Sequence, residues 1–220
     1  MGTTDQLLPS ISALVALGEF AQDETVDAAA HIDTVSDGLS ASEKQLRAEH
    51  EWKGAIAALT QLLTQQENKT KKSSRHKSSQ ALVLSGPVPL LNDAELIPRL
   101  SNWTFVPHSS EDIASAFSAL SPVERLIQKT KESFSKKQTH KTRLLPLLED
   151  DPLAEEQFTL VFTPQFSLVL VLGKDADGDL SFQYSFMPEV VNSVWRVLRS
   201  RILMIRPQQL EFVETLVNRF

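Results

Sequence analysis

Residues 157–186 read Gln-Phe-Thr-Leu-Val-Phe-Thr-Pro-Gln-Phe-Ser-Leu-Val-Leu-Val-Leu-Gly-Lys-Asp-Ala-Asp-Gly-Asp-Leu-Ser-Phe-Gln-Tyr-Ser-Phe, and this stretch decides the fold. Three runs rich in aromatic and β-branched residues, 158–162, 166–172 and 180–186, read as strands. Thr163-Pro164-Gln165 links the first to the second, and Gly173–Asp179 the second to the third. Both links are too short for a crossover, so the three strands form an antiparallel meander. Side chains alternate along a strand, which puts Phe182, Tyr184 and Phe186 on one face of the third.

Downstream, Pro188 opens a helix whose Val191, Val194, Trp195, Leu198 and Ile202 recur at helical spacing. This Trp-bearing helix is expected to cover the meander. Pro207 starts a last helix, with Leu210, Val213, Val217 and Phe220 spaced 3, 4, 3. That seam is still running at the final residue, which hints at a longer parent or a partner. Residues 206–220 are therefore expected to form a signalling or dimerisation helix, with those four residues at its interface.

Upstream, Ala81–Leu84, Trp103–Val106 and Leu144–Leu148 are further strand candidates, and short helices are expected at 92–100 and 111–119. Ser121-Pro122-Val123-Glu124 is a helix start: Ser cap, Pro at the first helical position, Glu at the third. Residues 1–66 read as helices. Ile11, Leu14, Val15 and Gly18 share one face, Ala28, Ile32, Val35 and Leu39 draw a second stripe, and Trp52, Ile56, Leu59 and Leu63 a third. Ser40 with Glu43 is a capping box. Residues 67–79 hold no apolar side chain and read as a flexible basic linker. The expected fold is α+β: a mainly antiparallel sheet with flanking helices over 80–205, preceded by an N-terminal helical region.

The 220 residues are 41% hydrophobic and 23% charged, ordinary for one soluble core. There is no cysteine, which excludes disulfides and thiolate metal or redox sites and points to a reducing compartment. No apolar run approaches the ~20 residues of a membrane helix, and no basic-then-apolar leader opens the chain, so a cytoplasmic protein is expected.

Chemistry-bearing motifs are few. The seven glycines form no phosphate loop, and the five histidines no pair at metal spacing. Asp175-x-Asp177-x-Asp179 opens like a calcium loop, but the positions that need Gly and Glu hold Leu180 and Phe186, so it reads as a hairpin turn. Glu149-Asp150-Asp151 with Glu155-Glu156 is a cation candidate that reads more simply as a solvated loop. No enzyme and no cofactor is implied. Trp103, Phe105, Phe166, Phe182 and Tyr184 are the residues expected to line a ligand pocket, if the sheet holds one.

Net charge is −6, but residues 1–51 carry ten acids against Lys44 and Arg47, while 69–77 and 129–143 are basic. Those two patches are the basis of an alternative reading, an anion- or nucleic-acid-binding regulator. The overall negative charge and the absence of interleaved stacking aromatics weigh against it. A protein partner or homodimer through helices is the preferred expectation, with no membrane contact.

Residues 80–106, 144–148 with Asp151-Pro152-Leu153, and above all 157–173 continuing through 182–186 to Pro188–Val191 and Trp195, resemble a cyanobacterial sensory module. The pattern is similar to the DICT-type input domain found ahead of histidine kinases and diguanylate cyclases. The resemblance covers roughly 80–220 and implies a non-catalytic signal-input domain whose last helix passes the signal on; it implies no ligand set. The chain has no kinase ATP-binding boxes and no Gly-Gly-Asp/Glu-Glu-Phe cyclase motif.

Overall fold

A computed structural model of the chain describes residues 8–23, 40–70, 81–88, 90, 100–107 and 143–220. In chain order the elements are α1 (Ile11–Asp23), α2 (Ala41–Thr70), β1 (Ala81–Gly86), β2 (Leu100–Val106), β3 (Arg143–Pro146), β4 (Gln157–Phe162), β5 (Ser167–Lys174), β6 (Leu180–Ser185), α3 (Pro188–Ile205) and α4 (Pro207–Val217). A short 3-10 turn, Pro152–Ala154, precedes β4.

The six strands form one sheet in the order β3-β2-β1-β4-β5-β6. The expected meander is there: β4 pairs antiparallel with β5, and β5 with β6. Its turns are built as their residues require. Thr163 Oγ1 accepts from the N–H groups of Gln165 and Phe166, and Gly178 takes a positive φ of 85° in the second turn. On the far side β4 pairs antiparallel with β1, while β1–β2 and β2–β3 are parallel. The architecture is α+β with a mostly antiparallel sheet.

Period-2 alternation splits the sheet into two buried faces. On the first, Leu82, Leu84, Trp103, Phe105, Phe158, Leu160, Phe162, Val169 and Val171 meet α1, α3 and α4. On the second, Val83, Val161, Leu168, Leu170 and Leu172 meet Ala48, Trp52, Leu59 and Leu63 of α2. The runs are apolar at nearly every position because both faces are covered.

α3 packs as its spacing predicts. Val191, Val194, Leu198 and Ile202 are buried, and Trp195 meets Phe162 edge-on with ring centroids 6.5 Å apart. Ile11 and Val15 of α1 join the same core. Gly18 matters here: a Cβ at that position would collide with the Val190 side chain, so glycine lets α1 lie against α3. The capping box opens α2, with the Ser40 N–H donating to Glu43 Oε2 at 2.9 Å and the Glu43 N–H to Ser40 Oγ at 3.4 Å. The Ser40 N–H and, second, the Ser40 hydroxyl, which donates to the same Glu43 Oε2 at 2.7 Å, hold the Glu43 carboxyl below its usual range.

Three expectations change. α2 runs to Thr70, past residue 66, where the linker was expected to begin. Leu100 is the first residue of β2, not the last of a helix. The aromatics of β6 turn toward α2, not α3: Phe182 meets Trp52 with centroids 6.1 Å apart. The stripe Ala28–Leu39 and the helices expected at 111–119 and from Ser121 lie outside the described residues.

Gly86 ends β1 with no room for a side chain. A Cβ there would stand 2.6 Å from Phe158 Cε1 and 3.2 Å from the Phe105 carbonyl oxygen. Gly86→Ala is expected to cost about 2 kcal/mol through overpacking, read as a lower urea midpoint at unchanged slope.

Candidate functional site

The five pocket candidates do not converge. Trp103 and Phe105 are buried on the first face, among α3 and α4. Phe166, Phe182 and Tyr184 lie on the second face beside α2. The period of 2 separates them: residues at 103 and 105 share one face of β2, and register across the sheet sends 182 and 184 to the other. On the second face the aromatics form a ladder of their own. Phe182 stacks on Tyr184 at 5.9 Å, Tyr184 meets Phe186 at 6.3 Å, and Phe186 meets Phe166 at 6.2 Å. Tyr184 and Phe186 remain half exposed.

The four interface candidates are also relocated. Leu210 and Val213 are buried in the first-face core, and Val217 and Phe220 pack against it half-buried. The 3, 4, 3 spacing marks a helix that folds back onto its own domain, so this seam is already occupied within the chain. Leu216 completes it. The helix is joined to α3 by Arg199, whose Nε donates to Glu214. Its outward residue Phe212 meets Trp103 at 6.1 Å. Arg143 lies over both rings, 4.8 Å from the Trp103 centroid and 4.4 Å from that of Phe212. Edge strand β3 is thereby tied to α4. Arg143→Ala is expected to cost about 0.5–1 kcal/mol, the worth of a cation–π pair at an exposed site, with a shift in tryptophan emission that Val106→Ala, on the opposite face of β2, does not produce.

The acidic loop is not solvated at its key positions. Asp151 and Glu156 are buried, and each is spent on a specific partner. Arg201 Nε and Nη2 donate to the two Asp151 oxygens, each at 2.8 Å, in a bidentate pair with no exposure on either side chain. Arg201 Nη2 also donates to the Pro9 carbonyl at 3.1 Å. Asp151 Oδ1 in turn accepts the Leu153 N–H at 3.0 Å, capping the 3-10 turn. Glu156 sits at the start of α1, accepting from the Ile11 N–H at 2.8 Å, the Ser12 N–H at 3.2 Å and the Ser12 hydroxyl. A carboxylate at a helix N-terminus meets both orphan donors and the positive end of the helix dipole. Together these groups clasp α1, the loop before β4 and α3.

Elsewhere the acids hold backbone. Asp175 Oδ1 accepts from the N–H groups of Asp177 and Asp179, which shapes the hairpin turn. Asp179 pairs with Lys44 at 2.7 Å and raises the lysine pKa. That pair contributes at pH values below the ordinary lysine range and fades as pH rises through the raised value. Among the described residues no group of three or more His, Cys, Asp or Glu is arranged to hold a metal ion. Of the basic patches, 71–77 and 129–142 lie outside the described residues. Among the described residues no helix is long and apolar enough to cross a membrane.

Against known proteins, residues 33–219 match the family model described as Domain of unknown function (DUF8628). The chain is 34% identical over 156 residues, 71% of its length, to the sensor histidine kinase Hik34 of Synechocystis sp. (strain ATCC 27184 / PCC 6803 / Kazusa), of which the match spans 30%. No solved structure matches. The family match takes in α2, the whole sheet, α3 and all of α4, so the chain belongs to the DUF8628 family.

Proposed function

We propose that the chain is a non-catalytic signal-input domain of the kind carried by cyanobacterial sensor kinases, and that it relays its signal through the first-face helical layer. The carrying observation is the 34% identity over 156 residues to a sensor histidine kinase, limited to 30% of that protein. The DICT-type kinship expected from the strand pattern is part of the same proposal.

The geometry supports a relay that differs from a free terminal coil. α4 is seated on the core, so its position follows that of α3 and of the sheet beneath. α3 touches β4 and β5 through Trp195 and its apolar stripe, holds α1 through Arg201, and holds α4 through Arg199–Glu214. A ligand or partner that favours one packing of this layer shifts its population by its differential affinity, and the coupling is reciprocal.

A domain exchange tests the reading. Three forms of the kinase are compared for autophosphorylation: native, with its matching stretch replaced by this chain, and with that stretch deleted. The exchanged form is expected to follow the native one. An exchanged form indistinguishable from the deletion removes the input role. Incubated alone with γ-labelled ATP, the chain is expected to stay unlabelled; labelling would overturn the non-catalytic reading.

A further inference from the structure

The outer edge of β6 carries a sequence that is its own complement. Residues 180–186 read Leu-Ser-Phe-Gln-Tyr-Ser-Phe, so the same residue types recur in both directions from Gln183. Aromatics stand at 182 and 184, serines at 181 and 185, and large apolar side chains at 180 and 186. β6 is the last strand of the sheet, and among the described residues no strand pairs with its outer side. Proteins ordinarily guard such edges with charge, proline, a bulge or brevity. The opposite edge follows that rule: β3 has four residues, opens with Arg143 and ends with Pro146. β6 has six residues, none charged and none proline, and its register with β5 runs without a bulge from Leu180 to Ser185. An edge this plain is a template for a further strand.

The hydrogen-bond phase of the hairpin says which backbone groups face outward. The Asp175 N–H donates to the Asp179 carbonyl at 2.9 Å where the turn closes. Hydrogen-bonded and non-hydrogen-bonded pairs alternate from there along an antiparallel ladder. Ser181, Gln183 and Ser185 therefore spend their backbone groups on β5, while Phe182 and Tyr184 turn theirs to the open edge. A second β6 laid antiparallel about Gln183 sets Phe182 of each copy opposite Tyr184 of the other, and such cross-strand aromatic pairs are favourable. The two Gln183 residues then face each other as a non-hydrogen-bonded pair, the kind whose side chains stand closer. Gln183 Oε1 is buried with no hydrogen-bond partner in the single chain. The side-chain amide of a second Gln183 supplies the missing donor. On the second face Tyr184 is 55% and Phe186 51% exposed, although their rings touch each other. The chain's net charge of −6 opposes self-association, but this strip carries none of it.

We propose that β6 pairs with β6 of a second copy of this chain, about a two-fold axis through Gln183, joining two six-stranded sheets into one. The interface is isologous and closes at two copies. It stands independently of the input-domain reading and leaves the helices free of the contact. Light scattering of the full chain from micromolar to millimolar concentration is expected to show the mass doubling. Tyr184→Lys places a charge on the edge and is expected to stay monomeric over the same range with unchanged circular dichroism. Leu144→Lys, at an exposed position of the opposite edge strand, is expected to dimerise like the wild type. A wild type that stays monomeric throughout would leave the edge to a strand of another protein and overturn the proposal. So would a folded Tyr184→Lys that dimerises as the wild type does, or a dimer lost in Leu144→Lys instead. The chain has no cysteine, so one introduced thiol reports the register. Under mild oxidation Gln183→Cys is expected to cross-link into a dimer. Ser181→Cys is not, because its counterpart stands about 14 Å away at ordinary strand spacings, beyond the reach of a disulfide. Equal cross-linking of both variants means random collision and overturns the pairing. Should Tyr184→Lys fail to fold, the comparison of Gln183→Cys with Ser181→Cys decides.

Discussion

Arg201→Met is expected to cost about 3–5 kcal/mol, the toll of leaving one charge of a buried pair uncompensated. Against a typical total of 5–15 kcal/mol this brings the protein close to unfolding at ordinary temperature. The cause is Asp151, whose carboxylate stays buried with one backbone donor, the Leu153 N–H, when both guanidinium bonds vanish. Methionine fills the aliphatic part of the arginine and adds no polar atom, so the loss reads the charge and its hydrogen bonds more than a cavity. The Pro9 carbonyl also loses its donor, and α1 loses one of its two buried anchors. The companion Asp151→Asn keeps an oxygen for the Leu153 N–H and removes the net charge. Residues in one network couple by about 0.5–3 kcal/mol, so the double variant should lose clearly less than the two singles added together. Urea midpoints of the four proteins provide the cycle. A single Arg201→Met variant as stable as wild type would show that the pair contributes specificity only.

Arg201 also shows where reading residues in order meets its limit. It stands three positions after Leu198 and beside Ile202, in the stripe that faces the core. A helix that is apolar on one side has no reason to place a guanidinium there unless an acid waits for it. That exception was the available signal, and the acid's identity was not. Asp151 lies 50 residues earlier in a run of carboxylates that looks solvated, and only the fold chooses Asp151 and Glu156 from among Glu149, Asp150 and Glu155. The meander, by contrast, was legible because its turns are local: Thr163-Pro164 and the Asp–Gly stretch sit between the strands they join. The parallel pairs β1–β2 and β2–β3 carry no such turn, because parallel neighbours are joined by long crossovers. The terminal helix was read correctly as amphipathic, but periodicity states only that a stripe must be covered. It does not say whether the cover comes from the same chain, and here Leu210 and Val213 meet their own core. The pocket aromatics failed for a related reason: the period assigns residues to faces within a strand but cannot align faces between distant strands.

Glu156→Ala is expected to release α1 and to cost about 3 kcal/mol, more than an ordinary capping loss of about 0.5–2 kcal/mol. The excess arises because the cap is buried and triple: two backbone N–H groups and a hydroxyl lose their acceptor together. Their surroundings offer little room for water. Gly173 of β5 faces the cluster so closely that a Cβ there would stand 3.0 Å from both Glu156 Oε1 and Ser12 Cβ. Ile11 and Val15 still favour docking through their apolar burial, so α1 should open locally before the sheet unfolds. Hydrogen exchange separates the outcomes. In the wild type the amides of α1 should exchange nearly as slowly as those of β5, and in Glu156→Ala they should exchange far faster while β5 stays protected. Glu156→Gln supplies a graded comparison: the amide oxygen retains one acceptor, but its NH2 faces donors, so it should fall between the wild type and alanine. Unchanged exchange in α1 would assign its docking to Ile11 and Val15 alone. The clasp matters to the relay for the same reason: Glu156 begins the segment that leads into β4, and Arg201 belongs to α3, so α1 is held by the strand and helix through which the signal is proposed to pass. A variant that frees α1 without unfolding the sheet should therefore change kinase output in the exchanged protein while leaving its fold intact.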